Sequence, residues 1–250
     1  MCASKWAAYN LRNLSNEVLL KKVTSKSSAA KAVPYHHGNL RNALIAECRR
    51  ALEEVGIREL SLRYLARAVG VSEAAPSRHF PGKEGLLAAI AADGFRDLAA
   101  ARGEIQSSEE TTMLKTFRMM KVYVEFAQRH KGLFELMVGP RIVERGAYAE
   151  LAEESNKSFR LFASAVEEFA TESGWDRKSL ALVTHAAWSV EHGLATLILS
   201  DRVPRTDVPV PVDRMVHFSI SMFLGAVAAG PTQVTSVLDA LPDPRRRVRV

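Results

Sequence analysis

Residues 61–83 read SLRYLARAVGVSEAAPSRHFPGK, and the order of capping, apolar and small residues in this segment indicates how the chain folds. Ser61 is a good N-cap for a helix with an apolar face. Two helices that cross steeply through a short turn need a small residue where their backbones approach, here Ala66, and a glycine that can take a positive φ, here Gly70. Ser72 can then cap a further short helix. The spacing therefore predicts a helix-turn-helix.

The short helix predicted over 72–79 has few apolar residues for a core helix. A small and polar surface of this kind suits the major groove of DNA. The residues that it would present are Glu73, Ala74, Ala75, Ser77, Arg78 and His79.

A helix is also predicted upstream, from the N-cap Asn39 to the C-cap Gly56. Its apolar residues recur on one face, at Leu44, Cys48, Ala51, Leu52 and Val55. Since Cys48 belongs to that face, we interpret it as a packed core thiol and not as a nucleophile. Together with the 61–83 pair, this helix is predicted to form a three-helix unit.

The composition indicates an ordinary globular protein, with 250 residues, 47% hydrophobic and 25% charged. No apolar run approaches the roughly 18 residues of a membrane span, and the first residues lack the apolar segment of a secretory signal. Two cysteines cannot form a disulfide framework. We therefore expect a reducing, cytoplasmic location and no membrane association.

The net charge of +6 is unevenly distributed. Residues 1–34 hold six Lys or Arg against one Glu, and residues 240–250 hold four Arg against one Asp. Residues 86–239 hold 16 basic and 20 acidic residues. A basic front on an acidic body indicates a polyanion partner at the front, with basic tails that merely aid solubility as the alternative.

From Asn39 to about Leu241 the apolar pattern is helical, and no segment has convincing strand periodicity. The Pro-rich segment 203–213 is predicted to be a loop. Further helices are predicted over 111–130, 132–138, 147–173, 177–200, 212–229 and 231–241. The fold class is all-α, with a basic flexible extension over 1–34, two helical parts over 35–95 and 96–241, and a basic tail over 242–250.

Residues 35–95, from YHHGNLRNAL to AAIAADGF, resemble the DNA-binding domain of the TetR/AcrR family of bacterial transcription regulators. They are most similar to a branch whose C-terminal domain carries a Trp, His, Gly motif. Trp188, His192 and Gly193 supply that motif here, and RHKGLFELMVGP at 129–140 also resembles the branch. The similarity covers about residues 35–230, and it implies a DNA-binding domain over 35–95 and a ligand-binding and dimerisation domain over 96–241.

The resemblance implies that the third helix lies in or beside the groove, with Ser72, Glu73, Ala75, Ser77, Arg78 and His79. Arg78 is the expected base reader, because its guanidinium can pair with guanine O6 and N7. Arg63 and Lys83 are expected to meet phosphates, and His36 and His37 the backbone or a groove edge. For each of these the alternative is a solvated surface side chain.

Two residues depart from the wider family. Pro76 stands where a large residue is usual, and Ser77 stands where an aromatic is usual. Pro76 removes a backbone donor, and its ring is free to pack inward. Ser77 cannot make the sugar and phosphate contact of an aromatic ring. The operator sequence is therefore less predictable than the fold.

The resemblance also implies a homodimer, with the helices over 177–200 and 212–229 forming a four-helix interface. An unknown small-molecule effector would bind between the other helices, although an ordinary apolar core is the alternative for most of these residues. Glu191 stands where the motif usually has an apolar residue; facing inward it would favour a cationic or hydrogen-bonding ligand, and facing outward it would carry no information. Trp188 and His192 are spaced to touch on one helix face. The candidate ligand-binding residues are Tyr123, Phe126, Phe134, Met137, Phe162, Trp188, Glu191 and His192.

No motif of a phosphate loop, a hydrolase elbow or a zinc protease is present, so we predict no enzyme activity and no cofactor. The expected function is a ligand-responsive repressor that binds a palindromic operator on double-stranded DNA. One alternative is a helical metal-binding protein or enzyme that uses His185 and His192, which lie on one helix face without a recognisable third ligand. Another is sequence-independent DNA binding through the basic termini.

Overall fold

Nine α-helices and two 3-10 turns, with no strand, make up the part of the chain that the structure describes, residues 40–139, 145–203, 207 and 209–241 of a computed structural model. The all-α prediction is confirmed. The predicted basic extension and tail, the helix cap Asn39, and the candidate DNA contacts His36 and His37 lie outside the described residues.

Helix α1 (Leu40–Glu59) buries the predicted face, since Leu44, Cys48 and Ala51 are fully buried and Leu52 nearly so. The helix is interrupted at Gly56, whose φ of 74° and ψ of 172° lie outside the helical region. Positive φ is the conformation that favours glycine, which agrees with the predicted end of the helix there. Burial raises the pKa of the Cys48 thiol to about 12, as expected of a core thiol.

Helix α2 (Leu62–Val69) begins and ends as the sequence predicts. The Ser61 Oγ accepts a hydrogen bond from the Tyr64 amide at 3.1 Å. Gly70 ends the helix in the left-handed conformation, with φ of 78°, and its amide donates to the Arg67 carbonyl. Leu65 and Ala66 are buried against α1.

The third helix is shorter than predicted. The segment expected to be helical over 72–79 holds a turn followed by a single 3-10 turn over Pro76–Arg78. The cause is Pro76, which has no amide hydrogen to donate to the carbonyl one α-helical turn earlier. The Ala75 amide donates instead to the Ser72 backbone carbonyl, at 2.9 Å.

Helix α3 (Gly82–Gln106) is the central element. All of residues 85–92 are buried, because α1, α5 and α6 surround this half of the helix. The helix runs without a break through the boundary predicted between residues 95 and 96. The two predicted domains are therefore joined by a continuous helix.

The remaining helices follow the predicted pattern within three residues at each end. They are α4 (Thr112–Arg129), α5 (Lys131–Val138), α6 (Ala149–Glu172), α7 (Leu180–Leu199), α8 (Val212–Ala228) and α9 (Pro231–Ala240), with a 3-10 turn over Arg145–Ala147 before α6. In the segment predicted as a loop, the described residues before Val212 lie outside any helix.

The buried residues form two clusters. The first joins α1, α2 and Phe80 to the first half of α3, to Tyr123 and Phe126 of α4, and to α5. The second joins the inner faces of α4, α6, α7 and α8. Helices α3, α4, α6 and α7 contribute to both clusters, with Ile105 as the α3 member of the second, so these four helices connect the two clusters.

Among the described helices, none is by itself both long and apolar enough to cross a membrane. Helix α8 and the residues up to Val237 of α9 meet the length and composition limits only as a pair, and they are bent by 106°.

Candidate functional sites

The turn after α2 presents a polar surface. Ser72, Glu73, Ser77, Arg78 and His79 are all exposed, and Ala75 is half-buried. The Pro76 ring is buried and Phe80 is 2% exposed, so these two side chains anchor the turn to the core. Because Pro76 and Phe80 hold the turn against the core, its polar side chains face the solvent.

Three charged side chains meet where α2 faces this turn. The Glu73 carboxylate accepts from Arg63 Nε at 2.7 Å and from Arg67 Nη2 at 3.3 Å. All three are more than half exposed, so the pairs contribute little to stability. Arg67 was not among the predicted DNA contacts, although it lies one helical turn after Arg63 on the same exposed face.

Lys83 is exposed in the first turn of α3, directly after the Phe80 anchor. With Arg63, Arg67 and Arg78 it completes a set of cations on elements that adjoin the turn. Every candidate DNA contact within the described residues therefore lies on α2, on the turn or at the start of α3.

Six of the eight candidate ligand-binding residues are buried: Tyr123, Phe126, Phe134, Met137, Phe162 and Glu191. Tyr123 brings several of the set together. Its hydroxyl lies 2.9 Å from His192 Nδ1, and its ring meets Phe134 edge to face with centroids 5.2 Å apart. His192 in turn stacks on Trp188, with centroids 5.3 Å apart and planes 20° apart. The predicted indole to imidazole contact is confirmed.

Phe126 and Met137 pack in the first cluster with α5, whereas Phe162 belongs to the second. The set therefore spans both clusters and is continuous with the apolar core. A ligand pocket among these residues stays a prediction.

Glu191 faces inward and is fully buried, and its partner is a residue that sequence reasoning missed. Arg102, 3% exposed, donates from Nη2 to Glu191 Oε1 at 2.9 Å and from Nη1 to the Ser158 carbonyl at 3.1 Å. Burial raises the pKa of the Glu191 carboxyl to about 8, and Arg102 opposes that rise. The position of Arg102 could have been found, because it continues the buried α3 stripe of Phe95 and Leu98 at helical spacing.

His185 and His192 differ in their surroundings. His185 is exposed, with Nδ1 2.7 Å from the Ala181 carbonyl, whereas His192 is half-buried against Tyr123. Within the described part of the chain, no group of three or more His, Cys, Asp or Glu side chains is placed to hold a metal ion.

Helix α1 is bonded directly to the start of α5. The Glu53 carboxylate accepts from the Gly132 amide at 3.0 Å and from the Leu133 amide at 3.2 Å. The two backbones are so close that a Cβ on Gly132 would lie 2.6 Å from the Leu52 carbonyl oxygen. Glycine at this position lets α5 dock on the DNA-binding domain.

Ion pairs join α1 and α3 to the start of α6. Glu150 accepts from Arg41 of α1 at 2.5 Å and from Arg96 of α3 at 2.9 Å. A crevice of about 280 Å³ opens beside them, between His79, Phe80 and the first turn of α6. Helix α1 is thus bonded to α5 through Glu53 and to α6 through Arg41.

The fold and the exposed turn define a helix-turn-helix DNA-binding protein. Residues 44–90 match the family model of bacterial regulatory proteins of the tetR family, and residues 116–223 match the tetracyclin repressor-like C-terminal domain. The chain belongs to the TetR family and is a DNA-binding transcription regulator by class. Its assignment to the branch with a Trp, His, Gly motif stays a prediction.

Among similar proteins, two solved structures cover most of this chain, and one curated relative covers less than half of it. A Rhodococcus sp. RHA1 protein of unknown function is 34% identical, with a TM-score of 0.67 over 78% of this chain and 98% of its own. The TetR family transcriptional regulator PfmR of Thermus thermophilus shares the fold at 18% identity, with a TM-score of 0.54 over 73% of this chain and 97% of its own. The nucleoid occlusion factor SlmA of Aliivibrio fischeri strain ES114 is 33% identical over 106 residues, 40% of this chain and 52% of that protein. The chain thus spans about half the length of this curated relative.

Proposed function

We propose that this protein is a ligand-responsive repressor that binds a palindromic operator as a homodimer. The observation that carries the proposal is the turn over 72–79, whose polar side chains point outward while Pro76 and Phe80 anchor it. Arg78 is the proposed base reader, and Arg63, Arg67 and Lys83 are the proposed phosphate contacts.

An unpartnered face on α7 and α8 supports the homodimer. Leu182, Phe218 and Met222 are 75%, 64% and 62% exposed, which is unusual for large apolar side chains. Gly193 and Gly225 lie on the same two helices, and a Cβ on either would meet no atom within 4 Å. Small residues beside large apolar ones allow helices of two subunits to pack closely. The two copies of the turn would then enter successive major grooves about 34–36 Å apart.

The contacts of the DNA-binding helices with α5 and α6 support a ligand response. A ligand that binds one arrangement of these helices better than another shifts the protein toward that arrangement. We propose that the arrangement favoured by the effector no longer fits the operator. Transcription from an operator in the promoter would then resume. Such a regulator acts where the DNA is, in the cytoplasm, and needs no catalytic group of its own.

The test is fluorescence anisotropy with duplexes from the promoter region of the gene that encodes the protein, compared with a scrambled duplex. The wild-type protein should bind one promoter duplex at least about 1,000-fold more tightly than the scrambled one. Arg78→Ala should cost about 1–3 kcal/mol on the operator and little on the scrambled duplex, because it removes a base contact.

Two further variants separate the roles of the cations. Lys83→Ala should weaken binding to both duplexes and lower the salt slope by about one, as expected of a phosphate contact. Arg177→Ala, which removes an exposed arginine in the connection between α6 and α7, should change neither. Equal affinity for both duplexes, or no effect of Arg78→Ala, would contradict the proposal and favour sequence-independent binding.

A further inference from the structure

Among the described residues, the buried side chain that carries a fixed positive charge is Arg102. The Arg102 guanidinium lies between two aromatic rings, with Cζ 5.4 Å from the Tyr123 centroid and 5.0 Å from the Phe162 centroid. Nη1 and Nη2 donate to Ser158 and Glu191, but the buried Nε has no hydrogen-bond partner among the described residues. A guanidinium keeps its charge at every physiological pH, so a buried donor with a permanent charge remains available.

Glu191 can change its charge beside that donor. Its Oε1 accepts from Arg102, whereas its Oε2 is buried and has no hydrogen-bond partner among the described residues. With its pKa raised to about 8 by burial, the carboxyl takes up a proton near neutral pH, and a protonated Oε2 becomes a donor. Arg102 of α3 is the charged group that acts on it, and Ser158 faces the pair from α6. Tyr123 of α4 and His192 of α7 are the other titratable groups nearby, and they bond to each other.

A column of contacting side chains, Trp188, His192 and Tyr123, leads from the surface to Arg102 and Glu191. Trp188 is 40% exposed and stacks on His192, which contacts the Tyr123 hydroxyl. The Tyr123 ring in turn faces Arg102. Phe134 and Phe162 flank the column, so its surroundings are apolar apart from the pair at its inner end. This is the usual chemistry of a small-molecule site, an apolar lining with a few placed polar groups.

We propose that the effector is an apolar molecule with a single carboxylate, which enters past Trp188 and His192 and accepts hydrogen bonds from Arg102 Nε and protonated Glu191 Oε2. The inference rests on the ligand response of the proposed function. The charges balance as follows: the ligand brings one negative charge, Arg102 neutralises it, and Glu191 is protonated in the complex, taking that proton from the solvent only above about pH 8. A cationic ligand would instead place a second positive charge beside Arg102.

The test measures binding by isothermal titration calorimetry without DNA. Two matched series serve as probes, octanoate with octanamide and octylammonium, and 3-phenylpropionate with its amide and amine. At pH 7 the carboxylate of at least one series should bind ten times more tightly than its amide and amine. Its affinity should stay constant below about pH 8 and fall up to tenfold per pH unit above it, with about one proton taken up per ligand at pH 9.

The variant Glu191→Gln tests the proton step, because it keeps the shape of the side chain and cannot ionise. It should retain carboxylate binding, remove the pH dependence and abolish the proton uptake. Arg102→Met, checked for folding by circular dichroism, should lose at least tenfold in carboxylate affinity. Equal binding of carboxylate and amide in both series, no carboxylate binding, or an unchanged pH profile in Glu191→Gln would overturn the inference. Because the calorimetry is done without DNA, its outcome does not depend on operator binding. The carboxylate proposal can therefore fail while operator binding is observed, and operator binding can fail while the carboxylate binds.

Discussion

Glu191 lies in an environment very different from water. Its carboxyl is fully buried, and its pKa rises from 4.5 to about 8. Because the folded protein holds this proton more tightly than the unfolded chain does, its contribution to stability is fully present below about pH 4.5. That contribution is lost as the pH rises through about 8, by up to about 1.4 kcal/mol per pH unit.

The corresponding prediction concerns Glu191→Gln, which is neutral at every pH. Urea unfolding between pH 5 and 9 should show the free energy of unfolding of the wild-type protein falling with pH relative to that of the variant. Other titrating groups are common to both proteins and cancel in the difference. Parallel pH profiles would show that Glu191 keeps an ordinary pKa in the folded protein.

At the residue scale, sequence reasoning found the groups that local spacing defines and missed those that only the fold brings together. The caps at Ser61 and Gly70 and the Trp188 to His192 stack are separated by a few positions along one helix or turn, so their geometry follows from the sequence. The Arg102 to Glu191 pair joins α3 to α7 across 89 positions. The pattern indicated that Glu191 is unusual, but nothing local could name its partner.

At the scale of elements, the docking of α5 on α1 depends on Gly132. Gly132→Ala should destabilise the protein by about 1–3 kcal/mol, because the new Cβ would lie 2.6 Å from the Leu52 carbonyl oxygen and the backbones would have to separate. The measurement is the midpoint and slope of urea unfolding.

The matched control is Gly103→Ala in the interior of α3, where an added Cβ meets no atom within 4 Å. This change should stabilise the protein by up to about 1 kcal/mol, because alanine has the higher helix propensity. If both variants had the same stability, the close approach of α5 to α1 would not exist in solution.

The elements themselves were largely predictable, and the exception has a local cause. In long amphipathic helices such as α4 and α6 the apolar positions repeat over the whole helix, so the sequence predicted their ends to within three residues. The third helix was predicted from a cap and from a resemblance, and Pro76 then limited it to one 3-10 turn. Helix α3 continues through residue 95, where a domain boundary was predicted from the family resemblance, and the length of this helix was not predicted.

At the scale of the whole molecule, the apolar face of α7 and α8 determines how two copies would associate. The basic residues at the two ends of the chain are not next to α7 or α8 in the sequence. The face of these two helices instead bears large apolar side chains such as Phe218 and Met222. Apolar burial, and not charge, is therefore the proposed driving force of association. In a two-fold symmetric interface both subunits contribute the same α7 and α8 face. One substitution on that face therefore changes the interface twice, once in each subunit.

Phe218→Glu should therefore convert the protein from a dimer to a monomer of 27.5 kDa in light scattering after size-exclusion chromatography. Two new carboxylates would enter a closed apolar interface, where burying charge without a partner is costly. Val237→Glu is the matched control, since Val237 is 61% exposed on α9 against 64% for Phe218, and it should remain dimeric. The monomeric variant should also lose most of its affinity for the full palindrome while it binds a half-site as weakly as the wild type does. A dimer that survives Phe218→Glu would place the interface on another face of the molecule.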